Sequence, residues 1–415
     1  MKPDGPGHPR APADAGDAGD TCDTRHGRDV PDDGAEPGGF AAAFLGTLGA
    51  VRRDVGLLLI LLVAPLVYGF FYPWPYGTQA VQRVPVAIVD QDRSALSRQI
   101  TRFAQAHPRI SVQWVTADVG EARAALWRGE IDGYALLPAD LRRDVLHGRP
   151  VIVPVEANGA YALLNKAVSY GFAEAVGTVS AGVEIRRLQA GGQSVAQAAA
   201  GRSPLQLQRA ALFNPTEGYG SYVVPAVALL ILQQTLLMGS AMLAGTLAEA
   251  RRLRARATVW AGRIAALSAC GLITGLFFFG WVFWLQDYPR GGNPWAALVL
   301  LLVYVPGVCA AGLLLGCWMG GRERALQVLM FTALPMAFLA GFSWPTESLP
   351  APLQWLSQAL PSTSAIQASL RLNQMGAPLA DVWPWLVRLA LLGAGALLAL
   401  LWVGRPRRAP RRPLV

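Results

Sequence analysis

Six apolar stretches punctuate this chain, each long enough to cross a lipid bilayer as a helix: Val55 to Tyr72, Tyr222 to Leu247, Thr258 to Leu285, Trp295 to Trp318, Ala325 to Phe342 and Trp383 to Val403. At about 1.5 Å of rise per residue, some 20 residues cover a hydrocarbon core of roughly 30 Å. No water reaches peptide groups there, so only helices and closed barrels can span it. Barrel strands are about ten residues long and alternate in polarity, which these stretches do not. The fold class predicted is therefore an α-helical membrane protein of six spans. One long polar insertion, residues 73–220, separates the first span from the second.

Composition agrees. The chain is 53% hydrophobic and 15% charged with a mean hydropathy of +0.33, too apolar for a water-soluble protein of this length. A net charge of +9 invites a nucleic-acid partner, but the basic residues form no groove-like run, and that class is set aside. They cluster beside the spans instead. Arg52 and Arg53 precede the first; Arg251, Arg252, Arg254 and Arg256 separate the second and third; Arg322 and Arg324 separate the fourth and fifth; Arg405 to Arg412 close the chain. All fall on one side of a six-span layout, and the positive-inside rule makes that side cytoplasmic. Both termini are then inside, and residues 73–220 lie outside the cytoplasm. The opposite side carries Trp74, Tyr76, Trp281, Trp284, Tyr288, Trp295, Trp344, Trp383 and Trp385, an expected aromatic belt. The first span starts after a long polar segment and is not followed by a small-x-small cleavage pattern, so it reads as an uncleaved anchor.

Residues 1–39 form a separate block of Gly, Pro and Asp, with nine acidic and four basic side chains. Such a segment lacks the apolar surface to order itself and predicts a disordered cytoplasmic tail. Residues 404–415 form a short basic tail. Between them the pattern Phe40, Phe44, Leu45, Leu48 and Val51 lies on one helical face, predicting an amphipathic helix over 40–54 on the inner leaflet. A plain extension of the first span is the alternative.

The insertion reads as α/β. Strand-type runs at Val84 to Val89, Ile110 to Val115, Tyr134 to Leu137 and Val151 to Val155 enclose helical patterns at Leu96, Ile100 and Phe103 and at Val119, Ala122 and Leu126. A long helix over Ala160 to Leu188 and a flexible loop over Gly191 to Ser203 are expected to follow. Residues 343–382 are expected to form an external loop with re-entrant helices before the last span. Asp90-x-Asp92 before Ser94 could offer carboxylates to a cation, but Asp and Ser at a strand-to-helix turn more often cap the helix. His107 and His147 have no companion ligand at a useful spacing. Cys22 lies in the polar tail and Cys270, Cys309 and Cys317 lie in spans, which favours packing over disulfides or metal. No catalytic, cofactor or metal site is expected.

The spans lack what a proton-coupled carrier needs. Their interiors hold no ionisable side chain, since Glu249, Arg263 and Arg388 lie toward span ends. The chain also has no GxxxxGK[ST] loop, and its lysines, Lys2 and Lys166, have no such context. A nucleotidase on another chain would reconcile both absences. Gln233 and Gln234, mid-span in the second stretch, are its most polar pair. They either line a substrate path or bond across a helix interface.

Particular runs carry a family resemblance. Val84-Pro85-Val86-Ala87-Ile88-Val89-Asp90-Gln91-Asp92, with Ser94 and Ser97-Arg98, resembles the start of the external domain in ABC-2 type permeases of bacterial efflux systems. Asn214-Pro215-Thr216-Glu217-Gly218-Tyr219, then Val223-Val224-Pro225 and Leu230 to Thr235, is similar to the entry into their second span. Gly245-Thr246 with Glu249 and Arg251 resembles the exit from it, and Ser343-Trp344-Pro345 with Leu360-Pro361-Ser362-Thr363 the re-entry before the last. The resemblance covers Phe40 to Val403; the acidic tail departs from the pattern.

The resemblance implies a non-enzymatic permease half in a bacterial inner membrane, paired with a second permease copy or paralogue. A cytoplasmic ATP-binding cassette ATPase would hold ATP and Mg and drive it, and a periplasmic adaptor is a further implied partner. Contacts with the ATPase would then fall on Arg52, Arg53, Glu249, Arg251 and Arg252, and the path beside Gln233 and Gln234. A hydrophobic or amphipathic substrate fits the apolar spans. A rival class keeps the topology without the pump: phage-infection-protein-like or secretion-accessory proteins, acting as receptors or assembly platforms.

Overall fold

A computed structural model describes residues 38–202, 211–289 and 293–405. The expected tails at 1–37 and 406–415, Cys22 and Ser203 lie outside the described residues. The described residues open with helix α1 (Phe40–Arg53), which ends where Asp54 turns to extended backbone with φ −93° and ψ 107°. Helix α2 (Val55–Tyr76) begins at once, so the alternative of one continuous helix is not realised. The Asp54 carboxylate accepts from the backbone N–H groups of Gly56 and Leu57, capping α2.

The polar insertion then folds as α/β. Strand β1 (Val84–Asp90) is followed by α3 (Ala95–Ala106), β2 (Ile110–Thr116), α4 (Val119–Arg128), β3 (Gly133–Leu137), α5 (Leu141–Leu146) and β4 (Val155–Ala157). The sheet order is β2-β1-β3-β4, with β1 parallel to both neighbours and β4 antiparallel to β3. Central β1 reads almost wholly apolar because both its faces are covered. Val84, Val86 and Ile88 join Ile100 of α3 on one face, together with Val168 and Phe172 of the long helix α6 (Ala162–Ala190). Ala87 and Val89 meet Ala122 and Ala125 of α4 on the other.

Two expectations shift here. The run Val151 to Val155 pairs only from Val155, because the flanking Pro150 and Pro154 lack the N–H a ladder needs; Pro154 contributes just its carbonyl, to Leu136 N–H. The loop expected from Gly191 contains helix α7 (Val195–Gly201), started by a capping box between Ser194 and Gln197.

The remaining elements are α8 (Tyr219–Glu249), α9 (Ala257–Leu285), α10 (Pro294–Met319), α11 (Arg322–Leu339), α12 (Ala351–Ala359), α13 (Pro361–Ser369) with a wider turn over Leu370–Gln374, and α14 (Leu379–Val403). Among the described residues, five helices are long and apolar enough to cross a membrane: α2, α8, α9, α10 and α14. The stretch expected as a span from Ala325 to Phe342 is the exception. Its helix starts three residues earlier, so Arg322, Glu323 and Arg324 occupy its first turn, and it ends at Leu339, ahead of a left-handed Gly341 with φ 78°. Trp74, Trp281, Trp284, Trp295, Trp344 and Trp383 are exposed, as a belt requires, whereas Tyr288 is buried at 1% exposure against Phe283 and Val224.

Helix α8 sits at the centre of the bundle. It meets α10 where Gly312 and Gly316 leave room: a Cβ on Gly312 would come within 2.7 Å of Ser240 Cβ, and one on Gly316 within 2.7 Å of Ala241 Cα. Small residues four apart let helices approach closely, which matters in lipid because burying apolar groups gives little drive there. Gly316→Val is expected to cost about 1–3 kcal/mol through overpacking, read as a lower midpoint in thermal aggregation of the detergent-solubilised chain. An unchanged midpoint would show that α8 and α10 are not held at this distance.

Candidate functional site

Charge converges at the end of the bundle where α2 starts and α8 finishes. Arg322, the first residue of α11, reaches Asp54 with both terminal nitrogens; Nη2 donates to Oδ1 at 2.7 Å, and Nη1 donates to Oδ2. Its backbone N–H donates to Glu249 Oε1 at 2.8 Å. The cap residue of α11 is Gly321, which has no side chain to offer. Glu249 therefore supplies, from the end of α8, the acceptor and the negative charge that a helix N-terminus favours. Gly245 makes the meeting possible, since a Cβ there would lie 2.7 Å from the Arg322 backbone nitrogen. Three segments remote in sequence thus join at one arginine.

The guanidinium governs the acid. Hydrogen bonds from Arg322 hold the Asp54 carboxyl down from an ordinary 3.8 to about 2, with partial burial opposing them and the Leu57 N–H, the Arg322 charge and the Gly56 N–H assisting. Bidentate carboxylate–guanidinium pairs are geometrically specific as well as strong.

The predicted contact residues lie around this junction. Arg52 and Arg53 are exposed in the last turn of α1. Arg251 and Arg252 are exposed just past α8, Arg251 in a left-handed conformation with φ 57°. The loop they open is anchored further on, where Ala255 N–H donates to the Gly404 carbonyl at 3.0 Å, beyond the end of α14. The arginine clusters at 52–53, 251–256, 322–324 and 405 are thereby brought to one end. Sequence reasoning missed Asp54 as a candidate and took Arg322 only as a topological charge. The available signal was an acid directly following Arg52 and Arg53 and opening an apolar run, with an arginine opening another.

Gln233 and Gln234 sit mid-helix in α8, facing neighbours. Gln233 is buried at 1% exposure; Tyr304 OH of α10 donates toward its Oε1 at 3.1 Å, and its Nε2 lies 3.5 Å from Met336 Sδ of α11. Half-buried Gln234 donates Nε2 to the Leu329 carbonyl of α11. The pair therefore bonds across helix interfaces, one of the two roles open to it.

Elsewhere the chemistry is structural. Ser94 caps α3, accepting from Leu96 and Ser97 N–H, while Asp90 accepts from Asp92 and Arg93 N–H and from Ser97 Oγ. His107 Nε2 lies 2.7 Å from Glu174, and His147 Nδ1 is 2.6 Å from the Arg143 carbonyl oxygen. Among the described residues no group of three His, Cys, Asp or Glu could hold a metal, and Cys270, Cys309 and Cys317 are buried thiols.

The junction is testable by charge removal. Asp54→Asn keeps a capping oxygen but loses the ion pair, and with Arg322→Gln it completes a double-mutant cycle, for which a coupling of about 0.5–3 kcal/mol is expected. A depressed carboxyl contributes stability that is fully present above its unfolded value and lost as pH falls through its folded one. The difference in thermal midpoint between wild type and Asp54→Asn should thus hold constant from about pH 5 to 8 and shrink only as pH falls from 3.8 through about 2. A difference that fades near neutrality would overturn this account.

Comparison with known proteins agrees with the architecture. The chain is 24% identical over 334 residues to the inner membrane transport permease YhhJ of Escherichia coli (strain K12), a match covering 76% of this chain and 84% of that protein. The permease of the same name from Shigella flexneri matches to the same extent. The model of the ABC-2 family transporter proteins matches residues 55–402, from the first residue of α2 to the last turn of α14. Spanning helices, inserted residues and charged junction all fall inside that match, save Asp54 at its edge, and the chain belongs to the ABC-2 transporter family.

Proposed function

We propose that this chain is the transmembrane permease subunit of an ATP-driven exporter in a bacterial inner membrane, working as a dimer with a second permease copy or paralogue. ATP and Mg bind a separate ATP-binding cassette ATPase. The observation that carries this reading is the junction of Asp54, Arg322 and Glu249. A bidentate ion pair and a helix cap tie the starts of α2 and α11 to the end of α8, beside exposed Arg52, Arg53, Arg251 and Arg252. A push on these arginines is delivered to three helices at once. The positive-inside rule puts this end in the cytoplasm with both termini, where an ATPase would dock. Helix α11 then makes the sixth crossing, and the sheet domain lies on the far side, where it gates the exit or meets a periplasmic adaptor.

In this scheme nucleotide-driven closure displaces the loop after Glu249 and rocks α8 with α11, opening a path beside Gln233 and Gln234. The cargo is a hydrophobic or amphipathic molecule drawn from the cytoplasm or inner leaflet, matching a mainly apolar route. The inner-membrane permease relatives support the assignment, as does family membership.

Arg251→Glu combined with Arg252→Glu should leave membrane insertion intact, abolish copurification of the ATPase and reduce transport at least tenfold, as like charge at a docking surface suppresses the match. Cells producing the double variant at wild-type level and exporting normally would sink the coupling assignment.

A further inference from the structure

Arg388 stands nine residues into α14, roughly 13 Å along its axis. Among the described residues it has no hydrogen-bond or ion-pair partner. An unpaired cation in the outer turns of an apolar helix, five residues past Trp383, calls for a counter-charge or a polar cavity. Here the cavity exists: Arg388 and Arg371 line a recess of about 230 Å³ between α12, α13 and α14. The Arg371 guanidinium lies 4.0 Å from the centre of the Trp385 ring, and its Nη1 donates to the Gln367 carbonyl at 3.0 Å and to Gln367 Oε1 at 2.8 Å. Stacking and bonding fix that fork in place, and its other nitrogens have no protein acceptor among the described residues. Glu347 is the one carboxylate lining the recess. Two guanidinium groups against it leave a net single positive charge, suited to a monoanion.

The surroundings choose the source of that anion. Leu391 follows Arg388 by three residues and Leu398 follows by seven more, so both continue the same face of α14 toward the bilayer interior. Each is 67% exposed. Trp355 and Trp383, 73% and 63% exposed, lie one and two residues from Gln354 and Trp385 of its lining, and exposed tryptophans of this kind favour the headgroup region. A charged headgroup beside two arginines would therefore have its chains lying along leucines, an arrangement of no use to a soluble anion. We propose that this recess binds the phosphate headgroup of an anionic glycerophospholipid, with its acyl chains along Leu391 and Leu398. Binding holds whichever direction the protein transports.

The delipidated full chain would be titrated with phosphatidylglycerol and with phosphatidylcholine, and lipid retention followed by native mass spectrometry. Retention of phosphatidylglycerol should exceed that of phosphatidylcholine about tenfold and fall by a similar factor in Arg388→Gln, the loss expected of one charge-assisted bond. Arg388→Lys should keep most of it, and Leu391→Ser should weaken retention without changing headgroup preference. Equal retention of the two lipids, or wild-type retention by the Arg371→Gln, Arg388→Gln double variant, would overturn the proposal. Displacement of the lipid by millimolar inorganic phosphate would reassign the recess to a soluble anion. Should the glutamine variants fail to fold, photo-crosslinkable phosphatidylglycerol on the wild type decides: label within 346–391 supports the site, and label confined elsewhere removes it.

Discussion

The close approach of α8 to α10 is the contact from which the rest of the bundle is arranged. In a bilayer the hydrophobic effect inserts helices but does little to pair them, so pairing relies on van der Waals fit and on hydrogen bonds between side chains. Gly312 and Gly316 allow that fit by letting α10 rest against the backbone of α8 at Leu237 and Ala241. Once α8 is seated, its other side is free to hold α11. It does so with the Gln234 amide at mid-height and with Glu249 at the end. A polar group left without a partner in hydrocarbon is expensive, so these bonds fix the register of α11 against α8 as well as its distance.

The charged end adds a different kind of constraint. Asp54 does two jobs with one carboxylate, capping α2 and receiving the Arg322 fork. A turn between α1 and α2 is thereby coupled to the position of α11, although 268 residues separate the two partners. Depressed to about 2, the carboxyl stays ionised throughout the physiological range. The pair consequently keeps its charges across that range. Neighbouring Arg52, Arg53, Arg251 and Arg252 are spared from it and remain exposed.

How much of this was legible beforehand depended on the range of the interaction concerned. Spans were readable because twenty apolar residues are a local property; the observed α2, α8, α9, α10 and α14 contain the expected stretches and extend them by a few residues. Strands β1, β2 and β3 were readable from apolar runs closed by turn residues. Val151 to Val153 misled because hydrophobicity signals a strand while the prolines on either side veto the ladder. The helix starting at Val195 was hidden by small polar residues, its capping box being a subtler mark than its composition. Tyr288 looked like a belt residue from its place at a span end, and only packing against Phe283 removes it. Asp54 and Arg322 each carried a local mark, a charge opening an apolar run, but nothing in either neighbourhood paired the two.

These two kinds of contact, small-residue packing along α8 and a charged joint at its end, fix α8 against its neighbours by different physical means. Helix α11 is held at its first residue by Arg322 and at mid-height by the Leu329 carbonyl, yet Met330, Phe331, Leu334 and Phe338 remain exposed on it. These two hydrogen bonds hold α11 against α8 in one register. At the opposite end Gln79, in the segment between α2 and β1, holds the first turn of α8, its carbonyl accepting from Tyr219 N–H and its Oε1 from Ser221 N–H. The first turn of α8 is thus tied to the segment that leads from α2 into the sheet, and its last turn to the charged joint. Both ends of α8 are therefore held by side-chain hydrogen bonds to segments far away in sequence, so its position is set at two points and not by packing alone.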